Sequence, residues 1–175
     1  GENTDGIGLV RDIQDNNSFP IQDKRVLLVG AGGAARGALA ELVNHGPSSV
    51  ILVNRTFSKA EQLKEEFDSF APVEAFSYDN FEATEFDLIV NATSLGLTGN
   101  LPPLEKNVLA PGCCCYDMMY GAGGTGFVQW AKENGAALAL DGIGMLVEQA
   151  AESFSIWRGK KPETGAVISL LREQP

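Results

Sequence analysis

Two short runs in this chain place residue types where they could hold a phosphorylated ligand. Gly30-Ala31-Gly32-Gly33-Ala34-Ala35 fits the pattern G-x-G-x-x-A. Glycines at that spacing allow a tight turn and let a diphosphate approach the backbone, while a helix opening behind them offers free N–H groups. Asn54-Arg55-Thr56, with Lys59 one helical turn on, brings a guanidinium, an ammonium and a hydroxyl to one locality, a set suited to a second anionic group. A third run, Cys113-Cys114-Cys115, has no C-x-x-C or Cys/His spacing, so no metal site is expected. In a strand, Cys113 and Cys115 share one face and Cys114 takes the other, which predicts small buried thiols in a reducing cytoplasm.

The glycine run acts on phosphate only if a strand delivers it and a helix follows. Residues 25–29 form a Val/Leu-rich run ending at Gly30, and 34–45 read as a helix stopped by Gly46-Pro47, which is the context the motif requires. Ala35 then lets helix and strand pack closely. The next strand, 50–53, ends in Asn54-Arg55-Thr56. A site for NAD carries an acid there to accept from the ribose hydroxyls. Here the acid is absent, and Arg55 can pair with a 2′-phosphate that a carboxylate would repel. The expected cofactor is therefore NADP(H).

The remaining chain alternates in the same way. Further strands are expected at 73–76, 86–90, 112–116 and 136–140. Helices are expected from Ser58, as a cap, to about Phe67, then at 126–134, 144–158 and 162–172. Thr4 is placed to cap an opening helix with Ile7, Val10 and Ile13 on one face, and residues 15–24 read as a polar connector. Short apolar strands alternating with helices predict an α/β fold: a Rossmann-type doubly wound parallel sheet of about six strands, in a single domain with flanking helices. We divide the chain into a helix and connector (1–20), a cofactor domain (21–145) and closing helices (146–175).

Apolar residues make up 44% and charged residues 21%, with a net charge of −10. That charge argues against a nucleic-acid binder, which would need a basic stripe. No apolar run reaches the length of a membrane span, and no basic-then-apolar leader is present. The first residue falls within a segment read as structured, so a preceding portion is expected.

Six runs in register resemble shikimate dehydrogenase: Asn3-Thr4-Asp5-Gly6, the glycine turn extended through Arg36-Gly37, Asn54-Arg55-Thr56, Asn91-Ala92-Thr93-Ser94-Leu95-Gly96, Tyr116-Asp117-Met118-Met119-Tyr120, and Asp141 through Ala150. They span nearly the whole chain. The resemblance implies reversible reduction of 3-dehydroshikimate to shikimate with NADPH, in aromatic amino-acid biosynthesis in the cytoplasm. It also implies a missing N-terminal substrate domain carrying a lysine that partners the aspartate.

By that resemblance Asp5 is the catalytic aspartate, although alone it reads as a helix N-terminal charge meeting the dipole. Asp5, Tyr120 and Gln149 are implied to bind the substrate. Asn91, Ala92, Thr93 and Ser94 are implied to line the cofactor's ribose and diphosphate side. Met118 and Met145 are implied to pack near the nicotinamide, with Gly142 meeting its carboxamide through the backbone. Unaided, Met118 and Tyr120 read as core residues. Asp117 reads as structural. Arg36 has two readings, the adenine side of the cofactor or a salt bridge. His45 reads as a helix C-terminal residue without a catalytic role. The run 121–126 is glycine-rich and expected to be a mobile loop. Two rivals stand beside this reading: a quinate/shikimate dehydrogenase using NAD, and a non-catalytic NADP-binding module.

Overall fold

The computed structural model describes residues 3–121 and 123–173. Six parallel strands form one sheet: β1 (Arg25–Val29), β2 (Ser49–Val53), β3 (Val73–Phe76), β4 (Phe86–Asn91), β5 (Leu109–Asp117) and β6 (Leu138–Leu140). Their order is β3-β2-β1-β4-β5-β6, as expected of a doubly wound sheet built from two halves. The helices are α1 (Asp5–Arg11), α2 (Gly33–Asn44), α3 (Phe57–Phe67), α4 (Gly126–Glu133), α5 (Ile143–Arg158) and α6 (Gly165–Glu173), with a π-helical turn at Asp12–Asn16 after α1. No described helix is long and apolar enough to cross a membrane.

Both faces of the sheet are apolar because its strands are covered on both sides. On one face Val26, Leu28, Val50, Leu52, Leu88, Val90 and Cys114 pack under α1, α2 and α3. On the other, Leu27, Val29, Val53, Ile89, Cys113 and Cys115 meet Phe127 and Ala131 of α4 and the loop residues Phe81, Ala83 and Leu104. The strand alternation thus divides the cysteines between the two layers. All three are buried free thiols. Burial pushes the Cys114 thiol up to about 12, and the hydrogen bond with Cys113 together with burial raises Cys115 further.

Helix α1 is wedged between two neighbours, and its glycines allow this. A Cβ on Gly6 would collide with the Gly37 carbonyl of α2, and one on Gly8 would stand 2.7 Å from the Met145 carbonyl oxygen of α5. Residues two apart point to nearly opposite sides of a helix, so Gly6 serves one partner and Gly8 the other.

Several expected details are corrected. Thr4 precedes α1 without a side-chain cap; its hydroxyl instead donates to Gln149 Oε1 at 3.2 Å, and Asn3 Oδ1 accepts from the Asp5 amide. Ser58 lies inside α3, which begins at Phe57 after an uncapped Thr56. The connector 15–24 is polar but anchored, with Phe19 and Ile21 buried in the core. Strand β5 begins at Leu109, earlier than expected, and shifts register against β4 between Phe86 and Leu88. Helix α6 begins at Gly165 rather than at Pro162. Of the loop 121–126, Ala122 lies outside the described residues, as do residues 1, 2, 174 and 175 of the end segments.

Candidate functional site

The site forms where the strand order reverses, at the C-terminal ends of β1 and β4. Gly30 leaves β1 with φ of 113°, a conformation that favours glycine. Its N–H donates to Val53 at 2.8 Å, and a Cβ there would lie 3.1 Å from the Ala92 carbonyl. The turn is therefore pressed against the loop that follows β4. Ala31 is half-buried, whereas Gly32, Gly33 and Ala34 are exposed. A Cβ on Gly32 or Gly33 would meet nothing within 4 Å, so protein leaves space open in front of both. The first intrahelical bond of α2 runs from Arg36 to Gly32 at 3.0 Å. The amides of Gly33, Ala34 and Ala35 precede it and stay free of intrahelical partners. Open space, free amides and a positive helix end fit a diphosphate.

After β2, Asn54 is held by its N–H to Phe76 at 3.1 Å and by its side-chain amide to the Thr56 carbonyl at 2.9 Å. That fold-back presents Arg55, Thr56 and Lys59, all exposed, at the start of α3. Neither cation has an ion-pair partner among the described residues. Arg36, by contrast, pairs with Glu66 at 2.8 Å, its side chain remaining 64% exposed. Tyr78, after β3, is a neighbour the sequence did not flag. Burial pushes its phenol up, and the Arg55 charge partly offsets this.

Ten expected residues line one cleft of about 290 Å³: Asp5, Ala34, Ala92, Thr93, Ser94, Met118, Tyr120, Gly142, Met145 and Gln149. Met119 and Leu146, which the sequence did not single out, complete it. Asp5 enters from the first turn of α1 and Gln149 from α5, brought together by the close α1–α5 packing. Tyr120 is half exposed and divides this cleft from a larger hollow of about 640 Å³ bounded by Lys132, Asp141 and Arg172. We place the site in the smaller cleft because it holds Asp5 and Gln149 and adjoins the phosphate turn.

Asn91 lies beneath this surface at 2% exposure. Its carboxamide oxygen accepts from the Thr93 amide at 3.1 Å and the Thr93 hydroxyl at 2.7 Å. Asp117 is buried beside it and accepts from the Met119 amide and the Thr125 hydroxyl; burial raises its carboxyl above the usual range. The N–H of Gly142 is already engaged by the Met119 carbonyl at 3.0 Å. His45, after α2, sits 3.0 Å from the Glu41 carbonyl, away from the cleft.

A second buried polar group was not foreseen. Asp12 and Tyr116 are fully buried, and the Tyr116 hydroxyl donates to Asp12 Oδ2 at 2.7 Å. Both fall at positions where an apolar periodicity gives no sign of a partner 104 residues away.

A family model described as shikimate/quinate 5-dehydrogenase matches residues 12–97, and one described as the shikimate 5′-dehydrogenase C-terminal domain matches residues 142–172. Shikimate dehydrogenase (NADP(+)) of Nitrosospira multiformis is 53% identical over 98% of this chain and 62% of its own length. The crystal structure of an Ael1 enzyme from Pseudomonas putida superposes with a TM-score of 0.91 at 48% identity, covering 99% of this chain and 64% of that one. Ligand-free 5-ketofructose reductase of Gluconobacter sp. strain CHM43 gives 0.86 at 32% identity, covering 99% and 63%. The chain thus spans less than two thirds of the length of the curated relatives it matches.

Proposed function

The chain belongs to the shikimate dehydrogenase family, and from that premise we propose that it is the NADP(H)-holding part of an enzyme that interconverts 3-dehydroshikimate and shikimate. The observation that carries this reading is one cleft in which Asp5, Tyr120 and Gln149 face Met118 and Met145, with Ala34 linking it to the phosphate turn. The fit to the cofactor rests on the open space before Gly32 and Gly33 and on two exposed cations where an NAD site would carry an acid.

When bound, the nicotinamide supplies hydride chemistry. The chain's residues do the rest of the work on its side of the reaction. Gly33, Ala34 and Ala35 hold the diphosphate through their amides. Arg55, with Lys59 and Thr56, holds the 2′-phosphate, which disfavours the NAD-using alternative. Met118 and Met145 exclude water from the ring. Gln149, whose Oε1 is engaged by Thr4, turns its amide donors toward a substrate hydroxyl, and Tyr120 offers a phenol to another. Asp5 orients the reacting hydroxyl and shares its proton with an ammonium.

No lysine among the described residues lines that cleft; Lys24 lies 3.7 Å from Asp87 on the connector. We assign the ammonium, and the facing wall, to the part of the relatives' length that this chain does not span. Phe154, Ile156, Trp157, Val167 and Leu170 are exposed on α5 and α6, supporting segment 146–175 as the side turned toward that part. The test is a binding titration beside a shikimate-dependent assay of NADP reduction. The chain by itself should bind NADP(H) and turn over poorly, since positioning of substrate against cofactor supplies roughly 7–11 kcal/mol of barrier reduction. Robust turnover on a repurified sample would show that the facing wall is not needed. In the complete enzyme, Asp5→Asn should lower turnover far more than NADP affinity.

A further inference from the structure

Helix α5 starts at the cleft wall, and the local support at its start is a single contact, Asp141 Oδ1 accepting from the Ile143 amide at 3.3 Å. Its N-cap residue is Gly142, which has no side chain to accept from the amide three residues on, as Ser, Thr, Asp or Asn would. Nor is there room for one: a Cβ on Gly142 would lie 2.5 Å from the Met118 carbonyl oxygen. The amide three residues on is that of Met145, and it donates to the hydroxyl of Tyr116 at 3.2 Å. Tyr116 reaches it from β5, and its own proton goes to Asp12 Oδ2 at 2.7 Å. Asp12 Oδ1 is held in turn by Asn16 at 2.9 Å and Asn17 at 3.3 Å. The Asp12 carboxylate also packs so tightly on Gly144 that no Cβ fits there. Beside the local contact from Asp141 to the Ile143 amide, the first turn of α5 is therefore located by a relay from the π-helical turn through β5.

We propose that Tyr116 and Asp12 are positioning residues for the nicotinamide end of the cofactor, acting as a cap supplied from outside the helix. This rests on the cofactor reading above and deepens it. Gly142 and Met145 belong to the turn that the relay holds, and Gln149 stands one turn beyond. The adenosine end is held elsewhere, by Arg55 after β2. Loosening the relay should therefore weaken binding of the nicotinamide half and spare the other half.

The experiment is a pair of titrations on this chain, with NADPH and with adenosine 2′,5′-bisphosphate, which carries the 2′-phosphate but no nicotinamide. Tyr116→Phe should weaken NADPH about tenfold and the bisphosphate less than twofold. Asp12→Asn, which keeps an acceptor but removes its charge, should fall between parent and Tyr116→Phe with the same selectivity. If Tyr116→Phe does not fold, the split shown by Asp12→Asn decides. Equal weakening of both ligands, or no weakening of either, overturns the proposal while the cofactor reading stands. A parent chain that binds neither ligand overturns both.

Discussion

Asn91 at the end of β4 and Asp117 at the end of β5 stand opposite each other in the sheet register, and the Asn91 amide donates to Asp117 Oδ1 at 3.1 Å. The pair ties two strand ends together directly under the cleft. Through Asn91 it holds Thr93, and through Asp117 it holds Met119 and Thr125. Replacing Asp117 with Leu leaves three donors without their acceptor. Each such buried loss costs roughly 1–3 kcal/mol, so a loss of at least about 3 kcal/mol is expected in urea unfolding. Asp117→Asn keeps a carbonyl in place and should lose only about 1–2 kcal/mol. Equal losses would show that packing, and not this set of hydrogen bonds, holds the strand ends.

Gly32→Ala should separate folding from binding. Gly32 has φ −92° and ψ −171°, extended backbone open to any residue, and its Cβ would touch nothing. The melting temperature should hold steady or rise, by the equivalent of about 0.4–1 kcal/mol. NADPH affinity should fall at least about tenfold, ~1.4 kcal/mol, because the methyl takes the diphosphate's space. A variant that binds as tightly as the parent would move the diphosphate away from this turn.

Arg55→Ala should discriminate between cofactors. Its guanidinium is exposed and free of ion pairs among the described residues, so the fold should be indifferent to its loss. Removing a charge-assisted contact to a 2′-phosphate is worth roughly 1.5–3 kcal/mol, about ten- to hundredfold for NADP, with little change for NAD. Calorimetry showing the same loss for both would place Arg55 elsewhere on the ligand.

The buried carboxyl of Asp12 predicts a pH signature. Burial raises it above the usual range; the neighbouring Glu148 adds to this, while Asn16, Tyr116 and Arg172 oppose it. A raised value means the native state binds the proton more tightly than the unfolded chain. Its contribution to stability is full below the unfolded value of about 3.9 and is lost as pH rises through the folded one. The parent should thus gain stability relative to Asp12→Asn as pH is lowered from 7 toward 4, by at most about 1.4 kcal/mol per pH unit. Urea unfolding across that range provides the measurement; a gain in the opposite direction would mean that the native state favours the anion.

Much of the architecture is legible because it is written in contiguous residues. Strand and helix alternation, the Gly30–Ala35 turn and the Asn54-Arg55-Thr56 run depend on neighbours in the chain, where backbone geometry and side-chain period act over a few positions. The division of Cys113, Cys114 and Cys115 between two layers follows from the same period of two. Which distant residues meet was carried by the resemblance for Asp5, Tyr120 and Gln149, and by nothing in the sequence for Asp12 and Tyr116. Thr4 shows why. Its position before a helix suggests a cap, yet the approach of α5 offers its hydroxyl Gln149 instead. The tight approach that permits this depends on Gly8, whose missing side chain has meaning only once Met145 is known to lie opposite. A buried polar group takes the partner that packing brings to it. Sheet register and helix approach choose that partner, and neither is a property of any one segment.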